Sequence, residues 1–171
     1  MKQLLTLILL IAFIGPVSAQ ETTGSNQTST YYFIRHAEKD KSDKSNKNPD
    51  LIMEGVLRAA KWSLVFDNLK FDAVYSTDYN RTRDTAKPTA EKNGLDITIY
   101  DPRNIDIKTF LETTKGKTVL VVGHSNTTPM FVNSILGTKK YQSIDETNNA
   151  NLYIVTVSSS GDITDTLLVV E

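Results

Sequence analysis

The sequence predicts an α/β fold with a largely parallel sheet. Short apolar runs at residues 31–34, 73–76, 97–100 and 118–122 alternate with amphipathic stretches. The run at 118–122 has apolar residues at four of five positions, the composition of a strand covered on both faces. A further pair of runs, 152–157 and 163–170, flanks a polar turn containing Gly161 and reads as a hairpin added to that sheet.

Taken in order, the chain begins with Lys2, an apolar run over 4–14, Gly15-Pro16, and then Val17-Ser18-Ala19. This is the pattern of a secretory signal peptide cleaved after Ala19, because a membrane span needs about 18 or more uninterrupted apolar residues. The expectation is therefore an exported protein, periplasmic or secreted, without a membrane anchor once residues 1–19 are removed. Residues 20–30 are Thr, Ser, Asn and Gln with almost no apolar content, a composition that predicts a disordered spacer. One domain is expected over 31–171, a length suited to a single core.

Residues 31–34 form the first strand, and the polar stretch 38–50 a mobile surface loop. Met53, Val56, Leu57, Ala60 and Leu64 recur at helical spacing and predict a helix that buries that face. Ile52 precedes it where a capping hydroxyl would be usual, so the start is expected at Asp50 or at another cap. After the strand at 73–76, a helix over 81–92 ends at Asn93-Gly94, a C-cap signal. A strand at 97–100, a short helix at 107–113 and the strand at 118–122 follow. A helix over 129–136 carries Pro129 in its first turn, where a missing N–H costs nothing.

Composition excludes several chemistries. There is no cysteine, hence no disulfide, thiolate metal site or cysteine nucleophile. A formal net charge of −1 gives no reason to expect nucleic acid or an anionic membrane as partner. Nothing calls for an oligomer, and a monomer fits.

The two histidines of the chain each stand directly after an apolar strand, His36 after 31–34 and Arg35, His124 after 118–122 and Gly123. In open α/β sheets ligands collect outside the carboxyl ends of strands, so the two imidazoles are expected in one crevice. Behind a third strand, Ser76-Thr77-Asp78-Tyr79-Asn80 leads to Arg81 near the start of a helix. A guanidinium there opposes the helix dipole, which fits either a solvated surface charge or a bound anion held between them. Arg35, His36, Arg81 and His124 around one cavity would suit a dianion, since guanidinium grips phosphate oxygens in pairs.

Arg35-His36-Ala37-Glu38 resembles the Arg-His-Gly-Glu signature of the histidine phosphatase superfamily, the group that contains the phosphoglycerate mutases. Residues 76–86 resemble its second block, in which a small polar pair leads to an arginine and then Thr-Ala on a helix. Gly123-His124-Ser125 is similar to its second histidine block, and Asn48-Pro49-Asp50-Leu51 running to Gly55 and Ala59 to its approach to the first helix. The matches run in the family's order over 31–136. The short chain, without a long insert between Ala86 and Thr118, looks like the compact phosphatase members, including the phosphohistidine phosphatases, more than the mutases.

This resemblance implies a phosphoglycerate mutase-like three-layer α/β/α sandwich with a mostly parallel central sheet. It implies in-line attack by a neutral His36 on phosphorus, a phosphohistidine, and its hydrolysis, with no metal and no cofactor. Arg35, Arg81 and a cationic His124 would hold the nonbridging oxygens of a phosphorylated small-molecule substrate. Glu38, Ser125 and Asn126 are further substrate-binding candidates, although Glu38 could instead orient an arginine and Asn126 simply open the next helix. The family's general acid is a carboxylate after the second block. Asp101 is the first candidate and Glu112 the second, with a turn role for Asp101 or no acid at all as the other possibilities. Ala37 in place of glycine and Ser42 in place of the mutases' asparagine are departures, the latter against a mutase. A noncatalytic phosphate-binding module, a mutase and an interaction domain of the envelope remain the competing readings.

Overall fold

The computed structural model describes residues 28–171. The leader expected over 1–19, and most of the spacer expected over 20–30, lie outside the described residues. Ser29 and Thr30 belong instead to the first strand. Ser29 pairs with Val157, Thr30 with Thr118 and Thr156, and Ser29 Oγ accepts from the Gly116 amide at 2.8 Å. Polar side chains did not prevent pairing, because the neighbouring strands satisfy the backbone on both sides.

The elements run β1 (Ser29–Arg35), α1 (Met53–Val65), β2 (Ala73–Ser76), α2 (Asn80–Asn93), β3 (Ile97–Ile99), α3 (Ile107–Thr113), β4 (Thr118–Gly123), α4 (Thr127–Leu136), β5 (Asn151–Val157) and β6 (Ile163–Val169). They form one six-stranded sheet in the order β3-β2-β4-β1-β5-β6. β1 to β4 pair in parallel, and β5 and β6 add an antiparallel edge whose turn uses Gly161 at φ 92°. This is the expected mixed α/β fold with helices on both faces.

The central strands are apolar on both sides and divide the core. Tyr31, Phe33, Val119 and Val121 pack with Phe110 of α3 and Phe131, Val132 and Ile135 of α4. Ile34, Leu120 and Val122 pack on the other face with Trp62 of α1 and Ala86 and Ala90 of α2. Alternate residues of one strand thus feed two cores.

Helix α1 corrects the sequence reading. Its buried residues are Gly55, Ala59 and Trp62, whereas Met53, Val56, Leu57 and Leu64 are exposed. The buried stripe has helical spacing too, but it begins on small residues: a Cβ at Gly55 would lie 2.2 Å from Glu38 O. Close approach to the backbone after His36 therefore selects that face over the larger aliphatic one. The helix starts at Met53 with Ile52 as an N-cap that has no side-chain bond, and Asp50 accepts instead from Asn80 Nδ2 at 2.6 Å.

Candidate active site

Parallel register lines the site up. Arg35 pairs with Gly123 and Ser76 with Val122, and the His36 amide donates to Gly123 O at 2.9 Å. His36, His124 and Thr77 consequently leave neighbouring strands at one level, at the carboxyl edge of the sheet. The imidazole centroids of His36 and His124 are 5.6 Å apart.

The turn after β1 is fixed from three directions. Buried Ala37 donates its amide to Thr85 Oγ1 at 2.9 Å, which ties the turn to α2. Asn149 Nδ2 donates to His36 O at 2.7 Å. His36 Nδ1 donates to Ala37 O at 2.7 Å, so in the neutral ring Nε2 carries the free lone pair. Burial, outweighing that bond and joined by the charges of Arg35 and Arg81, lowers the His36 pKa to about 3. At ordinary pH this ring is neutral.

His124 is held by a directed chain. Thr77 Oγ1 donates to Thr82 Oγ1 at 3.0 Å, and Thr82 Oγ1 donates to the Thr77 carbonyl. Thr77 Oγ1 therefore accepts the proton of His124 Nε2 at 2.9 Å. Burial first, then Arg81, Lys39 and Arg35, lower the His124 pKa to about 4. With the protein's own charges alone both imidazoles are neutral, which departs from the expectation of a cationic His124.

Arg81 stands in the first turn of α2 and is 8% exposed. Its Nε and Nη1 are buried without a hydrogen-bond partner, and its guanidinium lies 4.4 Å from the centroid of the Tyr79 ring. It has no ion pair among the described residues. Leaving two such donors unmade costs about 1–3 kcal/mol each, more for a charged group, which an anion would recover.

A cavity of about 550 Å³ gathers His36, Arg81, His124, Asp101, Ser125 and Asn126 from the sequence-derived set. Arg35 and Glu38 do not line it. Arg35 is spent on the loop before β5, Nη1 donating to Asp145 O and Asn148 O at 2.8 and 2.9 Å and Nη2 to Glu146 Oε2 at 2.9 Å. Glu38 accepts from Arg58 Nε at 2.6 Å, the arginine-orienting role, and anchors α1 instead of touching the cavity. Asn126 lines the cavity but is also the N-cap of α4, its Oδ1 accepting from the Thr127 amide. Gly123 is required beneath this turn: a Cβ there would meet Thr128 Oγ1 at 2.7 Å.

Neither acid candidate has the environment of a proton donor. Asp101 accepts from the Arg103 amide at 2.9 Å and from Asn104 Nδ2 at 2.7 Å, bonds that lower its pKa and make it a turn residue. Glu112 pairs with Lys108 along α3 and does not line the cavity. Among the described residues no group of three or more His, Asp or Glu gathers as metal ligands do.

Lys39, Thr77, Tyr79 and Glu146 also line the cavity and were not singled out from sequence. Thr77 and Tyr79 lie inside the block leading to Arg81, so adjacency was a usable signal. The 38–50 loop contributes only Lys39, because Asp40, Asn48 and Asp50 fold it back on itself and onto Asn80.

Comparison with known proteins agrees with the fold. The family model described as Histidine phosphatase superfamily (branch 1) matches residues 31–103. No curated protein sequence matches the chain. Among solved structures, the protein histidine phosphatase SixA complexed with tungstate is similar at TM-score 0.63 and 16% identity, covering 82% of this chain and 96% of that one. A phosphoserine phosphatase mutant from Entamoeba histolytica in complex with phosphoserine gives 0.61 and 14%, covering 81% and 95%. Phosphoglycerate mutase from Bacillus anthracis gives 0.64 and 14%, covering 84% and 93%. The matched segment, residues 31–103, carries most of β1, His36 and the block around Arg81 and is similar to the histidine phosphatase superfamily, and the sheet as a whole follows the fold of the phosphoglycerate mutase structure.

Proposed function

We propose that the protein is an exported, metal-independent phosphatase that works through a phosphohistidine on His36. One observation carries the reading: His36 Nδ1 is tied to Ala37 O, leaving Nε2 as a neutral nucleophile in the cavity that also holds the two unpaired donors of Arg81.

Nε2 attacks phosphorus, the bond from phosphorus to the leaving atom breaks, and its electron pair departs with that atom. Water then attacks phosphorus, the N–P bond breaks, Nε2 regains its lone pair, and the water proton leaves to solvent. Arg81 binds nonbridging oxygens throughout, oriented by the Tyr79 ring. His124 takes up a proton as the dianion arrives, since added negative charge opposes the Arg81, Lys39 and Arg35 fields that keep it neutral. Thr77 fixes that ring through its Nε2–H.

Because Asp101 is ionised and bound into its own turn, substrates whose leaving atom needs no protonation are favoured: aryl and acyl phosphates and phosphoimidazoles. The kinship with SixA, a protein histidine phosphatase, is consistent with such substrates. Export rests on the pattern of residues 1–19.

The test is hydrolysis of nitrophenyl phosphate by the chain from residue 20 onward, with chelator present. Turnover that survives chelator and falls at least about 10³-fold in His36→Ala supports the reading. A noncatalytic phosphate-binding module is the rival favoured by the missing acid. It would bind phosphate and release no nitrophenol, whether or not His36 is replaced.

A further inference from the structure

Arg35 is 2% exposed, and the anion it holds in the protein is Glu146. Glu146 Oε2 takes Arg35 Nη2 at 2.9 Å and Oε1 takes Ser125 Oγ at 2.5 Å, next to His124. Its carboxylate lies on the wall between two spaces, for Glu146, His36 and Lys39 line both the 550 Å³ cavity and a second one of about 290 Å³ that reaches Arg35. The side chain is 64% exposed and makes these two hydrogen bonds among the described residues, whereas its loop has further anchors. Ile144 donates to Ser125 O at 2.7 Å, Arg35 Nη1 holds the carbonyls of Asp145 and Asn148, and Asn149 holds His36 O.

We propose that Glu146 is a resident anion that competes with the phosphoryl group for Arg35, so that substrate entry and phosphate release exchange one anion for the other on that guanidinium. The inference rests on the phosphatase reading of the site and adds a residue that sets its anion affinity. A buried guanidinium without a counter-charge is costly, and Glu146 supplies one whenever phosphate does not. When the dianion occupies the cavity, carboxylate and phosphate repel across a short distance. The Glu146 side chain then swings outward, which its exposure permits without moving the loop, and leaves Arg35 Nη2 free to donate to a phosphate oxygen while Nη1 keeps its carbonyls. Glu146 thus weakens phosphate binding and hastens its departure.

Calorimetric titration with inorganic phosphate compares the wild-type protein with Glu146→Gln, which keeps the side-chain shape and removes the charge. The dissociation constant is expected to fall about tenfold or more, as removal of a like charge beside an anion predicts. In parallel, kcat for nitrophenyl phosphate is expected to drop with KM, because release becomes slow. Should Glu146→Gln fail to fold, Ser125→Ala frees the same carboxylate from one of its two contacts and is expected to tighten phosphate several-fold less. Equal or weaker phosphate binding in the variants overturns the proposal and makes Glu146 only a support for Arg35. Wild-type phosphate binding without nitrophenol release would count against the phosphatase reading and leave the affinity comparison valid. Absence of phosphate binding to either protein overturns both.

Discussion

His36 and His124 are chemically alike and spatially paired, yet what each ring nitrogen touches sets them in different tautomers. A carbonyl fixes the proton of His36 on Nδ1, and a hydroxyl chain fixes that of His124 on Nε2. Because these are the two histidines of the sequence, their imidazole resonances can be followed without ambiguity. Titration by NMR should show both rings largely neutral down to about pH 5 without ligand, and with vanadate or phosphate bound the His124 pKa should rise while His36 stays unprotonated. A His124 value unmoved by the anion would remove it from the charge-stabilising role. The turn-bound Asp101 carries a second prediction, a steep dependence on the leaving group. Replacing nitrophenol by a simple alcohol should cut kcat/KM by at least about 10²-fold, the size of a missing general acid. Asp101→Asn should change it less than about threefold, because no proton comes from that carboxylate. Equal rates for aryl and alkyl esters would mean that an acid operates in this cavity after all.

Elements place these residues, and they differ in how far the sequence revealed them. The strands before His36 and His124 were readable, because apolar runs in a parallel sheet leave little freedom over where their carboxyl ends lie. The hairpin and the Gly94 C-cap were readable from local turn chemistry. Helix α1 was found but rotated, since Met53, Leu57 and Leu64 outweigh Gly55 and Ala59 on any hydrophobic count while the small pair is what fits against the backbone. Gly55→Ala accordingly tests the observed face. It should destabilise by about 1–3 kcal/mol in denaturant titration through overpacking on Glu38 O, whereas Leu57→Ser, on the exposed stripe, should change stability by less than about 0.5 kcal/mol. The reverse ranking would restore the aliphatic face as the core. The loop before β5 had no periodic signal at all. Its grip on Arg35 and His36 is made by the carbonyls of Asp145 and Asn148, the Glu146 carboxylate and the Asn149 side-chain amide, whose partners lie 110 to 113 residues away in the chain.

At the scale of the molecule, two neutral imidazoles buried beside cations lower the acid tolerance of the fold. Each imidazole titrates near 6.5 when unfolded and at about 3 and about 4 when folded. Between those values the unfolded chain binds more protons, so unfolding free energy rises with pH over this window and is lost as pH falls below 6.5. The pair should contribute on the order of several kcal/mol between pH 7 and pH 4, and a His36→Asn, His124→Asn double variant should show a visibly flatter profile of stability against pH. An unchanged profile would mean that the rings are not buried as described. The central claim, covalent transfer to His36, is tested most directly by mixing enzyme with ³²P-labelled acyl or aryl phosphate, quenching in alkali during turnover and mapping the labelled peptide. The account predicts base-stable, acid-labile label on the peptide containing His36, absent in His36→Ala. Turnover without label on that ring, or label on His124, would contradict it.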